Sequence, residues 1–463
     1  MSSHLFDPTI LRAYDIRGIY EHTLTDADAF AIGVAFTACM DMRGLAKRVT
    51  VGRDGRLSSP SLANHLIEGL VAGGAEVFDI GCGPTPMLYY ANVALATEAA
   101  IQVTGSHNPP THNGFKMIMD GAVFFGDDII HLGDVSAKGP ARHVGGHRTT
   151  ISIFDDYVAR ILQGADVGTV NAVWDCGNGA SGEVTDALTR QLSGTHHVLF
   201  AEIDGTFPNH HPNPVDPETL DMLRDAVTEH NADLGIGFDG DGDRIGLIDA
   251  KGRQVPGDLL TAYLAREIAP KHQNCPMLLD VKSSDMAMSL IAAAGADAQI
   301  WKTGHSHMKK RMAELDAPLA GEMSGHIFIK DDFYGFDDAI YVALRVLSQM
   351  HRSGESITAF MDSLPPQFAT PELRIECDDS KKFAAMDALA SFASSRFGTK
   401  DMSNISLVDG VRVRSASGWW LVRASNTEAA LVARAEGTSQ SELDELIDNL
   451  RETLDHADLT VNI

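Results

Sequence analysis

Apolar and polar residues along the first third of the chain follow two different patterns. Short apolar runs rich in β-branched residues, such as RVTVGRD at 48–54 and AAIQVTG at 99–105, predict buried strands. Between them, SPSLANHLIEGLVAGG at 59–74 has the pattern of a helix that serine opens and glycine closes. Strands that alternate with helices in this way predict βαβ units and a mostly parallel sheet.

Two further stretches repeat this plan, and a third departs from it. A strand, a helix and a second strand that ends in acidic residues follow one another between 169 and 244, and another alternation of helices and strands begins near Gly257. After SLPPQF, residues 408–437 alternate apolar and polar positions across Gly and Ser/Asn turns, which predicts an antiparallel meander. A helix follows, for which Ser441 is the predicted N-cap and Asp444 the third helical residue.

The predicted fold class is therefore α/β, with three tandem α/β domains that have mixed, mostly parallel sheets and a C-terminal α+β domain. The predicted limits are 1–150 (block 1), 151–256 (block 2), 257–367 (block 3) and 368–463 (block 4). A Gly- and His-rich stretch, KGPARHVGGHR, is predicted to be a connection. Each of the first three blocks has a polar loop where a strand ends, which is the usual place for ligands in open α/β sheets.

Composition narrows the class of protein. The chain has 463 residues, a hydrophobic content of 44 % and a formal net charge of −26, which disfavours nucleic acid and anionic membranes as partners. An anionic substrate would need cations gathered locally at its site. Five scattered cysteines without a CxxC pair indicate reduced thiols and a cytoplasmic location. We expect no signal peptide and no membrane span.

The acidic stretch FDGDGDR is the sharpest chemical signal. Asp239, Asp241 and Asp243 alternate with glycine after a strand, and three carboxylates so close together repel one another unless a cation lies among them. Oxygen ligands suit Mg²⁺ or Ca²⁺. An EF-hand loop that starts at Asp239 would need glycine and glutamate where Arg244 and Ala250 stand, so a calcium-binding module is excluded. A solvated acidic turn and a phosphatase with an aspartate nucleophile are the alternatives.

A serine stands at the end of another predicted strand, in VTGSHNPPTHNGFK. Ser106 fits two roles, a nucleophile on display or a turn serine that bonds to its own backbone. Lys116 follows ten residues later. A nucleophile separate from the acidic stretch leaves the acids available for a metal ion.

Two further loops carry groups that suit a sugar phosphate. In GEMSGH, Glu322 and Ser324 can bind neighbouring sugar hydroxyls, although a surface loop is the alternative. In RASNT, a guanidinium, two hydroxyls and an amide lie within five residues, which fits a phosphate as well as it fits a solvated hairpin turn.

The chain has other, weaker candidates. The histidines of KTGHSHMKK, His305 and His307, lack a nearby partner for zinc, and FPNHHPNPVDPE is predicted to be a structural turn.

Together these stretches resemble the phosphohexomutase superfamily, and most closely its bacterial bifunctional phosphomannomutase/phosphoglucomutase members. RAYDIRG, TGSHNP, DGDGDR, GEMSGH and RASNTE occur in this order and span residues 11 to 434, so the resemblance covers nearly the whole chain. It implies four domains around a central cleft and the reversible interconversion of hexose 1-phosphate and hexose 6-phosphate. It also implies Mg²⁺ as cofactor and a hexose 1,6-bisphosphate as intermediate and activator.

The resemblance also implies a role for each loop. Ser106 would be the phosphorylated serine, and its phosphate would hold Mg²⁺ together with the three acids Asp239, Asp241 and Asp243. The sugar hydroxyls would be bound by Glu322 and Ser324, with His326 beside them. The phosphate that is not transferred would be held by Arg423, Ser425, Asn426 and Thr427. Further cleft positions would be Tyr14, Arg17, Lys116, Arg244, Lys282 and His305.

Three points stay open at this level. The general base is one of Arg17, Lys116 and His305, and the oligomeric state is a monomer or a homodimer. The alternatives for function are a phosphoglucosamine mutase and, from another class, a metal-dependent phosphohydrolase that shares Ser106 and the acids. A hydrolase needs no second phosphate site, so the RASNT loop favours the mutase.

Overall fold

A computed structural model describes residues 3–378, 381–399, 402, 404–425 and 429–460. Its strands form four separate sheets that follow one another along the chain. The first three are mixed sheets flanked by helices, and the fourth is antiparallel. The predicted fold class is confirmed. Within the described ranges, no helix is both long and apolar enough to cross a bilayer.

The first sheet has seven strands in the order β1-β5-β4-β2-β3-β7, with β6 paired to β5. Its strands are β1 (Ile16–Ile19), β2 (Arg48–Arg53), β3 (Glu76–Cys82), β4 (Ala99–Val103), β5 (His112–Met119), β6 (Ala122–Val123) and β7 (His147–Thr150). Its helices are α1 (Asp26–Met42), α2 (Ser59–Ala72), α3 (Thr85–Ala94) and α4 (Asp127–Ala137). The parallel strands β4, β2, β3 and β7 match the sequence pattern, whereas β1, β5 and β6 pair in antiparallel fashion.

The second sheet has five strands in the order β12-β11-β10-β8-β9. They are β8 (Asn171–Asp175), β9 (Thr195–Leu199), β10 (Leu234–Phe238), β11 (Ile245–Asp249) and β12 (Gln254–Val255). The helices of this stretch are α5 (Phe154–Leu162), α6 (Gly182–Thr189) and α7 (Asp221–Glu229). All five residues of β10 are buried, so the acidic loop DGDGDR, which follows this strand, begins in the interior.

The third sheet has four strands in the order β14-β13-β15-β16. They are β13 (Pro276–Asp280), β14 (Asp297–Trp301), β15 (Leu319–Gly321) and β16 (Ile327–Ile329). Its helices are α8 (Gly257–Ile268), α9 (Asp285–Ala293), α10 (His305–Leu315), α11 (Ala339–Ser353) and α12 (Ile357–Ser363). The GEMSGH loop is the connection between the antiparallel pair β15 and β16.

The fourth sheet follows the break predicted at SLPPQF. Its strands are β17 (Phe368–Ala369), β18 (Leu373–Glu376), β19 (Ile405–Ser406), β20 (Val411–Ser415), β21 (Gly418–Ala424) and β22 (Ala430–Gly437). Helices α13 (Lys382–Phe397) and α14 (Gln440–Asp455) complete this part. The N-cap prediction for α14 is wrong. The cap is Ser439, which has an extended backbone and accepts a hydrogen bond from the backbone N–H of Glu442, so the helix begins at Gln440 and includes Ser441.

Hydrophobic packing joins some of these parts more closely than others. One continuous core extends from Trp174 of block 2 to Ile340 of block 3, and α3 of block 1 adds Met87 to it. Blocks 1 and 4 each have a core of their own. Block 4 touches block 3 through the buried side chain of Trp419, which packs against Val281. The cores therefore hold the acidic loop and the GEMSGH loop on one shared body.

Candidate active site

The loop with the motif TGSHNP, called the serine loop, is in direct contact with the loop that carries DGDGDR, called the acidic loop. Ser106, just after β4, donates a hydrogen bond of 2.9 Å from its hydroxyl to Oδ2 of Asp239, just after β10. Ser106 is only 2 % exposed and has a positive φ of 50°, which is unusual and costly for a residue with a side chain. A Cβ on Gly240 would lie 2.5 Å from the carbonyl oxygen of Ser106, so only glycine allows the two loops to approach this closely.

A buried arginine that the sequence did not single out holds the serine loop in place. Arg56 is 1 % exposed and donates hydrogen bonds of 2.6 Å to the carbonyl oxygens of Ser106, Asn108 and Pro109. Its Nε donates to Asp54, which also accepts from the backbone N–H of Gly105. These contacts satisfy carbonyl groups of a turn that has no regular partner strand.

The three acids of the acidic loop are fully buried and lie together. Carboxylate oxygens of Asp239, Asp241 and Asp243 all lie within 4.8 Å of one another. Burial and the negative charges of its two neighbours raise the pKa of Asp239 well above its usual range. Oδ1 of Asp241 and Oδ1 of Asp243 are buried without a hydrogen-bond partner among the described residues. Closely spaced oxygen ligands with lone pairs to spare fit a divalent cation, and no ion is part of the structure.

Lys116 supplies the positive charge beside these acids. Its ammonium group is 2.6 Å from Oδ2 of Asp241 and also contacts Asp243. Burial alone would lower the pKa of Lys116, but the three carboxylates outweigh burial and raise it. Thr85, the first residue of α3, donates its hydroxyl to Asp241 as well. Block 1 therefore contributes the serine, a cation and a hydroxyl around the acidic loop of block 2.

In the GEMSGH loop, Glu322 is buried and accepts hydrogen bonds on both oxygens. The backbone N–H of Gly304 donates to its Oε1 and the hydroxyl of Ser324 donates to its Oε2, each at 2.9 Å. Burial raises the pKa of the Glu322 carboxyl. The predicted pair of acid and hydroxyl is therefore pre-organised, and it is tied to the start of α10, where Gly304 lies.

A network of polar side chains connects the GEMSGH loop to the acidic loop. Nε of Arg244 donates to Nε2 of His326 at 2.9 Å, and Nδ1 of His326 lies 3.0 Å from Asp337 and 3.6 Å from Asp243. Lys309 pairs with Asp337 at 2.6 Å. Asp243, His326 and Asp337 form a second cluster of possible metal ligands, but the three aspartates offer only carboxylate oxygens, which suit a hard divalent cation better than a set that includes an imidazole nitrogen.

His305 is buried at the start of α10, with its ring 5.5 Å from the ring of His326. Its Nδ1 is 3.4 Å from the ammonium group of Lys309. Burial, followed by the charge of Lys309, lowers the pKa of His305 well below its usual value. His307 is not part of this polar network; its ring packs against Tyr14 and Phe125.

The RASNT stretch begins in β21, which contains Arg423. Arg423 is 5 % exposed, its Nε donates to Asp409 at 2.8 Å, and its Nη2 is buried without a partner in the described part of the chain. Ser425 is also buried, and its carbonyl oxygen accepts from the ammonium group of Lys382 at 2.8 Å. The predicted contacts of Asn426 and Thr427 lie outside the described residues.

Nearby in block 3, Lys282 is buried and donates to Glu372 of block 4 at 2.8 Å.

The two candidates of RAYDIRG face different neighbours. Arg17 donates to Asn108 of the serine loop at 2.8 Å and to Asp15 at 2.5 Å. Tyr14 donates its hydroxyl to the carbonyl oxygen of Thr303 in block 3 at 2.8 Å. His210, predicted to lie in a structural turn, has its Nε2 2.9 Å from Asp175 at the end of β8.

Four functional candidates emerged only from the structure, namely Arg56, Lys309, Asp337 and Asp409. Two of them contact segments far from them in the sequence, since 50 residues separate Arg56 from Ser106 and 106 residues separate Asp409 from Thr303. The local sequence around them is ordinary, and the single signal is a charged residue that turns out to be buried.

Comparison with known proteins identifies the family. The descriptions "Phosphoglucomutase/phosphomannomutase, alpha/beta/alpha domain I", "domain II" and "domain III" match residues 8–131, 155–252 and 256–368, and the C-terminal domain of the same family matches 372–453. The chain belongs to the phosphoglucomutase/phosphomannomutase family.

Named relatives cover nearly the whole chain. A protein of Pseudomonas putida named phosphomannomutase/phosphoglucomutase is 42 % identical over 96 % of this chain and 95 % of its own length. A protein of the same name from Pseudomonas aeruginosa is 40 % identical over 98 % of this chain and 97 % of its own. A family protein of known structure from Burkholderia thailandensis superposes with a TM-score of 0.92 at 36 % identity, and the match covers 99 % of this chain and 100 % of that one.

Proposed function

We propose that this chain is a phosphomannomutase/phosphoglucomutase, an isomerase that interconverts hexose 1-phosphate and hexose 6-phosphate through a phosphoserine at Ser106. The observation that carries the proposal is the contact of 2.9 Å between the Ser106 hydroxyl and Asp239. This contact places a strained, buried serine against an acidic cluster and Lys116. The names of relatives at 40–42 % identity over nearly the full length support the same reaction.

The reaction consists of two phosphoryl transfers. In the first, the P–O bond to Oγ of phosphorylated Ser106 breaks, and a P–O bond forms to the free hydroxyl of a hexose monophosphate, whose proton passes to a general base. The resulting hexose 1,6-bisphosphate reorients within the cleft. In the second transfer its other phosphate moves to Ser106, and the sugar oxygen regains a proton.

The residues of the serine and acidic loops position the transferring group. Arg56 fixes the backbone of the serine loop, Lys116 places positive charge on the acidic loop, and Arg17 places it on Asn108 of the serine loop. Mg²⁺ would be held by Asp239, Asp241, Asp243 and the phosphate on Ser106, and when bound it would neutralise charge on the transferring phosphoryl group. Arg17, Lys116 and His305 are the predicted candidates for the general base, and the pair of His326 and Asp337 adds a fourth. The raised pKa of Lys116 favours its protonated form, which makes it a weaker candidate than His305.

The other two loops bind the parts of the sugar phosphate that do not react. Glu322 and Ser324, with His326 beside them, would contact O3 and O4 of the sugar, which keep their mutual arrangement when the sugar turns end for end. Such contacts ignore C2, where glucose and mannose differ. Arg423, Ser425, Asn426 and Thr427 would hold the phosphate that is not transferred. Tyr14, Arg244 and Lys282 complete the walls of the cleft.

One coupled assay tests this function. Glucose 1-phosphate and mannose 1-phosphate are supplied separately, with glucose 1,6-bisphosphate as activator, and hexose 6-phosphate and inorganic phosphate are both measured. We expect conversion of both sugars without release of inorganic phosphate. Stoichiometric inorganic phosphate would instead identify a phosphohydrolase, and conversion of glucosamine 1-phosphate alone a phosphoglucosamine mutase. The cytoplasmic location, the choice between monomer and homodimer and the limits of the four domains stay predictions.

A further inference from the structure

A carboxylate in block 4 links the RASNT loop to block 3. Asp409 lies in the turn before β20, and its side chain is 15 % exposed. A single oxygen of this carboxylate, Oδ2, accepts from Nε of Arg423 at 2.8 Å and from the backbone N–H of Thr303 at 3.0 Å. Asp409 thus bonds at the same time to the arginine of its own block and to the backbone of the neighbouring block.

The peptide groups around Thr303 are a junction of three blocks. The carbonyl oxygen of Thr303 accepts from the hydroxyl of Tyr14, which belongs to block 1. The next backbone N–H, that of Gly304, donates to Glu322 of the GEMSGH loop. A hydrogen bond from Thr303 to Asp409 therefore ties the RASNT loop to the loop proposed to bind sugar hydroxyls and to block 1.

Asp409 also determines which edge of the Arg423 guanidinium remains available. A guanidinium is planar and can offer two donors along one edge to an oxyanion. Because Nε is taken by Asp409, the edge formed by the two Nη atoms is left, and Nη2 is buried without a partner within the described residues. Asp409 holds the plane of Arg423 in one orientation with this edge free for an anion.

The backbone fixes Asp409 against β21. Gly410 has a φ of 79°, and a Cβ on it would lie 2.2 Å from the carbonyl oxygen of Val422 and 2.6 Å from Cα of Arg423. The turn can approach the strand this closely only with glycine at this position. The turn therefore holds Asp409 beside Arg423, and the Thr303 contact connects both residues to block 3.

We propose that Asp409 is a positioning residue for the phosphate site of Arg423, and that its bond to Thr303 keeps block 4 closed over the bisphosphate while it reorients. The inference rests on the proposed function and deepens it. A negative charge beside an arginine also competes with the phosphate, so this effect of removing Asp409, taken alone, tightens phosphate binding. We expect the loss of orientation to outweigh this effect, and the sign of the change in affinity decides between the two.

The experiment compares Asp409→Ala and Asp409→Asn with a control, Glu452→Ala, which removes the exposed partner of Arg396 elsewhere in block 4. Binding of glucose 1-phosphate is measured by calorimetry in a Ser106→Ala background, where no turnover occurs. We expect Asp409→Ala to raise the Kd about tenfold or more, as for loss of a charge-assisted contact. Asp409→Asn keeps an acceptor of similar shape and should have a smaller effect, whereas Glu452→Ala should have none.

Turnover reports on the second contact. With Ser106 intact, Asp409→Ala should release more glucose 1,6-bisphosphate per turnover and should depend more on added bisphosphate. In an Arg423→Ala background, Asp409→Ala should change Kd little, because the orienting effect acts through Arg423, but it should still increase bisphosphate release through the lost Thr303 contact. If Asp409 only stabilised the fold, Asp409→Ala would leave both the Kd of the folded protein and the amount of bisphosphate released per turnover unchanged. Circular dichroism checks the fold, and Asp409→Asn serves if Asp409→Ala does not fold.

Unchanged or tighter binding of glucose 1-phosphate in Asp409→Ala overturns the positioning role of Asp409, and unchanged bisphosphate release overturns the role of its bond to Thr303. The proposed function has a separate test, because it fails if the parent protein converts no hexose phosphate. In that case the calorimetric comparison, run with glucose 1-phosphate and with inorganic phosphate, still tests whether Asp409 positions Arg423 for an anion.

Discussion

The hydroxyl of Ser106 lies 2.9 Å from the carboxylate of Asp239, although 133 residues separate them in the chain. Neither residue alone defines a catalytic site, since turn serines and acidic turns are common. Their contact brings a serine with a left-handed backbone to a buried cluster of three acids.

Ser106→Ala should remove nearly all mutase turnover, because it deletes the hydroxyl that is proposed to carry the phosphoryl group. Intact-mass measurement of the parent protein should show a phosphate adduct that the variant lacks. Thr111→Ala, in the exposed part of the same loop, is the matched control and should keep both activity and adduct. Turnover near the parental level in Ser106→Ala would rule out a phosphoserine mechanism.

Asp241→Asn should lower kcat far more than it weakens substrate binding. The change removes one ligand charge from the acidic loop, and the charge of a bound cation matters most in the transition state. EDTA should inhibit the parent and Mg²⁺ should restore its activity. Asp186→Asn, which alters an exposed ion pair with Arg190, is the control. Full activity of the parent in metal-free buffer would exclude the acidic loop as a catalytic metal site.

Arg423→Ala should raise KM for both sugar phosphates by about ten- to a hundredfold, the equivalent of roughly 1.5–3 kcal/mol for a charge-assisted contact. The reason is that Arg423 would grip the phosphate that does not react, in the ground state as well as in the transition state. The variant should also need more glucose 1,6-bisphosphate for full activity. Arg396→Ala removes an exposed arginine of the same block and should leave KM unchanged.

Arg56→Lys should lower kcat/KM by at least tenfold while the protein still folds. A lysine has one ammonium group, so it cannot reach the carbonyl oxygens of Ser106, Asn108 and Pro109 together, and the serine loop loses its fixed geometry. Phosphorylation of Ser106 by glucose 1,6-bisphosphate, followed by intact mass, should be slower as well. Arg43→Lys is the surface control. Parental kinetics in Arg56→Lys would mean that the loop holds its shape without this residue.

The pair of His210 and Asp175 should make stability depend on pH. Burial lowers the pKa of His210, but the hydrogen bond and charge of Asp175 outweigh burial and raise it. A histidine whose pKa is higher in the folded state stabilises that state fully below its unfolded pKa of about 6.5, and this contribution is lost as pH rises through the raised value. The difference in unfolding temperature between the parent and His210→Asn should therefore become smaller as the pH rises from about 6 to about 8.5. A difference that grows with pH would contradict this assignment.

The sequence predicted the fold class and the loops because both depend on local patterns. The period of apolar residues determines which segments are strands, and a motif such as DGDGDR carries its ligands and its glycines within six residues. Arg56 could not be found in this way, since its role comes from burial against a loop 50 residues away in the chain. The N-cap of α14 was misplaced by two residues because both Ser439 and Ser441 are good caps, and the end of β22 at Gly437 favours the earlier one.

The most direct test follows the phosphoryl group itself. The protein is phosphorylated on Ser106 by glucose 1,6-bisphosphate that carries isotopically labelled phosphoryl groups, freed of small molecules and mixed with a slight excess of glucose 1-phosphate, and the products are separated after a single turnover. The mutase mechanism predicts that the label leaves the protein and appears in glucose 1,6-bisphosphate and glucose 6-phosphate, with none in inorganic phosphate. Label that stays on the protein during turnover, or that appears as inorganic phosphate, would contradict it.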